Sequence, residues 1–140
     1  MVTNFSINAV LRVLNMSITS TYEADVVINS VEDTDTLNYI LYYALLHAAE
    51  WGNRQVIWDL RLFNFHSIDK NSINYFLSKS KPLSEMRLGL KTAIIADTDL
   101  GFGMMRMLEF MADEKLSFTV RVYRNKEKAF QWLTDEKETV

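Results

Sequence analysis

The sequence predicts an α/β domain whose sheet is mostly parallel, with an antiparallel N-terminal hairpin and helices packed against it. Two observations carry the prediction. From residue 34 onward, amphipathic stretches alternate with short apolar runs in the order helix, strand, helix, strand, helix, strand, helix. Repeated alternation of this kind marks strands joined by helical crossovers. Two of the runs, Val56–Leu60 and Thr92–Ala96, are nearly unbroken in apolar character, as expected of strands covered on both faces. A length of 140 residues is one domain's worth of chain. Residues 1–140 are therefore read as a single domain, with the hairpin at 5–31 and an α/β core at 34–134.

The elements follow in order. Residues 5–16 read as extended, since Ile7, Ala9 and Leu11 partly alternate with polar neighbours. Tyr22–Val31 is a second strand centred on Val26, Val27 and Ile28, and the two pair around a turn at Ser17–Thr21. The period then changes. Leu37, Ile40, Leu41, Ala44, Leu45 and Ala48 form a full helical stripe. Thr34 or Asp35 caps its start, and Gly52 closes its end in the left-handed conformation. After the strand at Val56–Leu60, Ser67 or Asp69 caps a helix bearing Ile73, Phe76 and Leu77, which Pro82 ends or bends. Thr92–Ala96 is the next strand. Gly101–Ala112 is a helix with Met104, Met107, Leu108 and Met111 on one face. Phe118, Val120 and Val122 alternate with more polar residues as a strand, and Asn125 caps a last helix that buries Ala129, Trp132 and Leu133.

Composition narrows the function classes. The chain has no cysteine, which excludes disulfides, thiolate metal sites and cysteine nucleophiles. The net charge is −3 and no segment is strongly basic, so phosphate-backbone binding is not expected. The longest apolar run, Tyr39–Ala49 with His47 inside it, falls far short of the ~20 residues of a membrane span. The N-terminus lacks a basic region followed by an apolar one, so a cytoplasmic location is the expectation. His47 and His66 each stand alone, with no second His or Cys near them in sequence, leaving zinc without support. Nothing calls for a cofactor or a metal.

Strand ends carry the candidate chemistry. The two central strands run into Asp59-Leu-Arg61 and Asp97-Thr-Asp99, and open α/β sheets bind ligands outside the carboxyl ends of their strands. Each acid also has an ordinary role, as a helix cap or an arginine partner. Asp97-Thr-Asp99 resembles the Asp-x-Asp of haloacid-dehalogenase-type phosphotransferases, but little chain follows it for that family's downstream motifs. A response-regulator receiver would need an acidic pair after its first strand, a phospho-acceptor Asp and a late lysine; no such pair follows the first strand, and Arg124 follows the last. Gly101-Phe-Gly103 continues to Arg106 and is no dinucleotide fingerprint. It reads as a tight turn with close helix packing, or as backbone approach to a polar ligand head. Met104, Met105, Met107 and Met111 read as adaptable apolar packing, suited also to variable apolar ligands. Tyr39, Tyr42, Tyr43 and Leu46 add a second apolar face to the first long helix, and a helix apolar nearly all round is covered nearly all round. Tyrosine favours subunit contacts, so this face is the expected homodimer interface.

Val56-Ile-Trp-Asp59-Leu-Arg61, Lys91-Thr-Ala-Ile-Ile-Ala, Gly101-Phe-Gly103-Met-Met-Arg106-Met-Leu-Glu109, Val120-Arg-Val-Tyr-Arg124 and Glu127-Lys-Ala129-Phe-Gln-Trp132-Leu133 occur in that order. The ordered set resembles the STAS-like (SpoIIAA-like) family of small bacterial proteins over residues 34–134. The resemblance implies a four- or five-stranded SpoIIAA-like sheet with helices against it, a fold shared with anti-sigma-factor antagonists and CRAL-TRIO domains, and no catalytic set. The phosphorylated Asp-Ser-(Ser/Thr)-Gly turn of the antagonists is missing. Phe65-His66-Ser67-Ile68-Asp69-Lys70-Asn71-Ser72 stands in its place, which weakens a partner switch acting through Ser67 or Ser72. The expectation is a non-catalytic, dimeric binding protein for a small apolar or amphipathic ligand or a protein partner. Its pocket would lie between the Met-bearing helix and the strand ends, with Asp59, Arg61, Gly101, Gly103 and Arg106 at the polar rim. The alternatives are an anti-sigma-antagonist-type regulator and a small enzyme using Asp59 or Asp97.

Overall fold

The computed structural model describes residues 18–32, 34 and 36–135, so the expected strand at 5–16 lies outside the described residues. Among these, five strands form one sheet in chain order: β1 (Ile18–Glu23), β2 (Val26–Glu32), β3 (Gln55–Leu62), β4 (Lys91–Ile95) and β5 (Thr119–Tyr123). β1 is antiparallel to β2, and every later pair is parallel. Five helices accompany them: α1 (Leu37–Trp51), α2 (Lys70–Ser78), α3 (Lys81–Met86), α4 (Asp99–Ala112) and α5 (Lys126–Thr134). The expected α/β architecture is present, with its mostly parallel sheet and antiparallel N-terminal hairpin.

Alternation along each strand divides the core in two. One face carries Val27, Val56, Trp58, Leu60, Ile94, Val120 and Val122, and packs against α1 to α4. The other carries Val26, Ile28, Ile57, Ala93 and Ile95, and meets Ala129, Trp132 and Leu133 of α5. This explains the unbroken apolar runs of β3 and β4, since Ile57 and Ile95 face one layer while Trp58 and Ile94 face the other. Each such side chain contributes roughly 1.5–3 kcal/mol when fully buried. Trp51 of α1 meets Trp58 edge-on with ring centres 6.0 Å apart.

Several boundaries differ from the sequence expectation. The hairpin turns at Ala24-Asp25, and Ser17–Thr21 is not the turn, because Ile18–Thr21 belong to β1. Ala24 takes φ 53° there, a left-handed conformation that costs a non-glycine residue about 1 kcal/mol or more. No glycine marks the turn, so the sequence hid it. The cap of α1 is Thr36, whose hydroxyl accepts from the Asn38 amide, while Thr34 is buried with its Oγ1 unpaired. Gly52 ends α1 with φ 59° and ψ −129°: the positive φ is one that glycine allows, but the expected left-handed helical conformation is not adopted. Pro82 starts a helix and does not end one: α2 finishes at Ser78, and Pro82 sits in the first turn of α3, where its missing N–H has no intrahelical partner to lose.

Arg87, at the end of α3, pins this layout. It is 2% exposed and has no carboxylate partner among the described ion pairs. Its guanidinium donates to the main-chain carbonyls of Gly52, at 2.9 Å, and of Arg54. These carbonyls follow the C-terminus of α1, where the helix dipole favours a cation. Burial lowers the Arg87 pKa, but two charge-assisted bonds to main chain keep the α1–β3 connection tied to α3.

Candidate functional site

The parallel register sets Ser30 beside Asp59, and Asp59 beside Ile95, so the carboxyl ends of β2, β3 and β4 share one rim. Ser30, Glu32, Asp59, Arg61, Leu62 and Asp97 line an open groove of about 400 Å³ there. Three of the residues singled out in the sequence, Asp59, Arg61 and Asp97, come together in it.

Two of the charges in the groove, Asp59 and Arg61, are committed to each other, while the Glu32 and Asp97 carboxylates also line it. Arg61 Nε donates to Asp59 Oδ1 at 2.9 Å and Arg61 Nη2 to Oδ2 at 2.7 Å, while the Arg61 amide donates to Oδ1 at 3.2 Å. Both carboxylate oxygens are occupied in a bidentate pair, the strongest geometry for these groups. Burial is the largest single influence on Asp59 and raises its pKa, but the Arg61 bonds and charge, with Lys126 nearby, together bring it below the ordinary carboxylate value. The Asp59 bond raises the Arg61 pKa against a smaller opposing effect of burial. Asp59 at neutral pH is thus a locked anion: it has no proton to donate, and its basicity is reduced. The face of Arg61 that would grip a substrate carboxylate or phosphate already holds Asp59.

The second acidic pair divides. The Asp97 carbonyl accepts weakly from Arg124 at 3.4 Å, and Asp99 forms an ion pair with Arg124 at 3.1 Å. Arg124 also lies over the Phe102 ring, 4.4 Å from its centre. Thr98 between them caps α4, accepting from the Gly101 amide at 3.0 Å. Asp97-Thr-Asp99 is therefore a helix start braced by an arginine.

The Met-bearing helix is placed differently from the expectation. Gly101 packs closely: a Cβ built on it would stand 2.7 Å from the Phe65 ring. Gly103 is open, with nothing within 4 Å of such a Cβ. Arg106 turns away from the groove and pairs with Glu109 at 3.0 Å. Glu109 in turn accepts the Val122 amide at 2.8 Å, which caps a donor on the terminal strand of the sheet. Met105 is the buried methionine, while Met104, Met107 and Met111 are half-covered. The apolar space beneath α4 is lined by Leu41, Trp51, Trp58, Met105, Leu108 and Phe118 among others, with Arg87 its one charged wall. Asp59, Arg61, Asp97, Gly101, Gly103, Met104 and Arg106 do not border it. At about 60 Å³ it has less than half the ~150 Å³ of an engineered core cavity that admits benzene.

The tyrosine face also divides. Tyr43 is a core residue, its hydroxyl 2.7 Å from Ser20 Oγ, which donates to buried Asn29. Tyr39 is half-covered by the core. Tyr42 at 48% and Leu46 at 46% remain exposed. His47 stacks on Tyr43 at 4.3 Å between ring centres and meets Glu50 at 3.2 Å. The His66 amide donates to Asn64. Asp69, the cap of α2, accepts from the Ser72 amide at 2.8 Å while its own amide donates to Ser72 Oγ at 3.4 Å, a capping box, and the Ser72 hydroxyl also donates to the Asp69 carboxylate at 3.0 Å. A phosphate on Ser72 would displace that bond and stand against the Asp69 carboxylate.

The sequence reading passed over Leu100 and Phe110 as surface residues of α4. Phe110 is 80% exposed and Leu100 44%. The signal was present: from Leu100 to Ala112 only Arg106 and Glu109 are charged, and the rule applied to the tyrosine helix extends to α4. Among the described residues no cluster of three or more metal-ligating side chains occurs, and no helix is long and apolar enough to cross a membrane. Comparison with protein-family models and with curated proteins found no match.

Proposed function

We propose that the chain is a non-catalytic domain of the STAS-like (SpoIIAA-like) type that works by binding protein through its helical surface. The observation that carries this is the pairing at the sheet's carboxyl end. Asp59 with Arg61 and Asp99 with Arg124 neutralise one another, while large apolar side chains stand exposed on α1 and α4. An enzyme keeps an acid, base or electrophile unpaired and aimed at substrate. A binding module needs exposed, adaptable apolar area. The five-stranded sheet in chain order, with its leading hairpin, supports the family likeness at the level of fold. The small interior space favours a protein partner over an apolar ligand held in the core.

Native mass spectrometry on freshly purified chain, repeated after denaturation, tests this. The expected mass is that of polypeptide alone, whether as one copy or several. A small molecule released only on denaturation overturns the reading in favour of a ligand carrier. Any turnover that Asp59→Asn or Asp97→Asn abolishes overturns it in favour of an enzyme.

A further inference from the structure

Helix α4 presents two apolar stripes. The inner one, Gly101, Met105, Leu108 and Ala112, is buried against the sheet. The outer one runs through Leu100, Gly103, Met107 and Phe110, with Met104 and Met111 along its flank. Its ends differ in kind. Phe110 projects into solvent, 80% exposed, while Gly103 leaves open space above bare backbone. They are seven positions apart, two helical turns on nearly one line, or about 10 Å along the axis.

A knob and a hollow on one line of one helix are self-complementary under a two-fold axis. If two α4 helices lie antiparallel, Phe110 of each reaches the hollow at Gly103 of the other, and the Met107 side chains meet near the axis. We propose that this face joins two copies of the chain in such an isologous pair. The proposal rests on the reading that the protein works through its surface, and names a second copy as the occupant of that surface.

Charge selects the second copy over a charged partner. The ionisable groups that rim the stripe are Asp99, Arg106, Glu109, Asp113, Arg121 and Arg124, three of each sign. They are satisfied in pairs within the chain, as Asp99–Arg124, Arg106–Glu109 and Arg121–Asp113. Two identical faces repel when they carry net charge; this one carries none. The exposed stripe on α1 has no such hollow, since the residues beside Tyr42 and Leu46 all carry a Cβ. On the neighbouring sheet edge Glu109 occupies the Val122 amide, which blunts strand addition there. One helix per copy makes a small interface, which belongs to the weak, concentration-dependent class.

Sedimentation velocity on the 140-residue chain, over roughly a hundredfold range of concentration reaching the micromolar regime, reads the equilibrium. The unaltered chain is expected to move from monomer to dimer across that range. Phe110→Ser is expected to weaken the dimer by about tenfold or more, as loss of a central aromatic anchor does. Gly103→Leu is expected to weaken it similarly, because the hollow is filled even though apolar area has been added. Neither position has a packed environment to disrupt, and circular dichroism checks that both variants fold. Tyr42→Ser is expected to leave the equilibrium unchanged. In a chain without cysteine, Met107→Cys is expected to cross-link two copies under mild oxidation faster than Tyr42→Cys. A chain that stays monomeric, a Gly103→Leu variant that associates more tightly, or a dimer lost with Tyr42→Ser each overturns the proposal. A bare monomer would sink the α4 pairing while leaving the non-catalytic reading in place, and a released small molecule would sink that reading itself.

Discussion

Helices α4 and α5 lie on opposite faces of one sheet and begin in the same way. Thr98 accepts from the amide three residues on at 3.0 Å, and Asn125 does so at 2.9 Å. Each buries an apolar stripe, Met105 and Leu108 on one side of the sheet, Ala129 and Trp132 on the other. Their outer faces part company. On α5 the exposed residues are Glu127, Lys128, Gln131 and Thr134; on α4 they are Asp99, Leu100, Gly103, Arg106 and Phe110, with Met107 half-covered beside them. Packing dictates the inner stripe in both cases, and α5 shows that the fold is satisfied with a polar exterior. The apolar exterior of α4 is therefore not a requirement of folding, and that is why it is read as a working surface.

The comparison breaks first at the inner stripes. The second sheet face is covered by α5 alone among the described residues, with Trp132 its largest side chain. Trp132 also carries the Lys91 ammonium 5.0 Å from its ring centre. Trp132→Ala is expected to cost about 3–5 kcal/mol, measured by urea unfolding. A loss near that of a surface substitution would mean that α5 does not hold its face of the sheet.

The two glycines of α4 sharpen the contrast within one helix. Gly101→Ala puts a methyl 2.7 Å from Phe65 and is expected to destabilise by about 1–3 kcal/mol through overpacking. Gly103→Ala meets nothing and is expected to stabilise by up to ~1 kcal/mol through helix propensity. Thermal melts of the two variants should shift in opposite directions. Equal shifts would show that residues 101 and 103 share one environment, against the division of α4 into an inner and an outer face.

The sequence made some of this legible and hid the rest for physical reasons. Periodicity exposed α1, because Leu37, Ile40, Leu41, Ala44 and Ala48 repeat at helical spacing and do face the core. Unbroken runs exposed β3 and β4, because both faces are covered. The hairpin turn was hidden, since Ala24 takes a left-handed conformation that glycine would have advertised. Helix α3 was hidden by its six residues, too few to show a period, and by a proline that starts helices as readily as it ends them. At the groove, Asp59, Arg61 and Asp97 were identified but not their state, because pairing depends on which way two side chains on one strand turn. Arg106 was misplaced for the same reason: its partner Glu109 lies one turn on and draws it toward β5. Arg87 gave no signal, since a lone arginine between Met86 and Leu88 does not disclose that main-chain carbonyls await it.

Acid should test the pairing at the carboxyl end. The Asp59 pKa is lower in the folded chain than its ordinary value. The stabilisation is therefore fully present above the ordinary carboxylate range, near pH 4, and is lost as pH falls through the lower folded value. Asp59→Asn is expected to flatten that part of the acid limb in a plot of stability against pH. Because Arg61 is partly exposed, the loss at neutral pH should stay within about 1 kcal/mol. An unchanged acid limb would mean that the ion pair is absent in solution, and the groove would regain a free acid and a free base.

The smallest expected effect on stability bears most directly on the two helices. Phe110→Ser removes a ring that touches solvent over four-fifths of its surface, and should change unfolding stability by no more than ~0.5 kcal/mol when measured at low, monomeric concentration. Gln131→Ser, at the outward position of α5, should do the same. The two differ only when copies can meet: the α4 change should lower apparent stability as concentration rises, because a dimer stabilises the folded state by mass action, while the α5 change should show no concentration dependence relative to the unaltered chain. Matching behaviour in both variants would make the outer face of α4 as indifferent as that of α5, and its apolar character would then need a cause other than association.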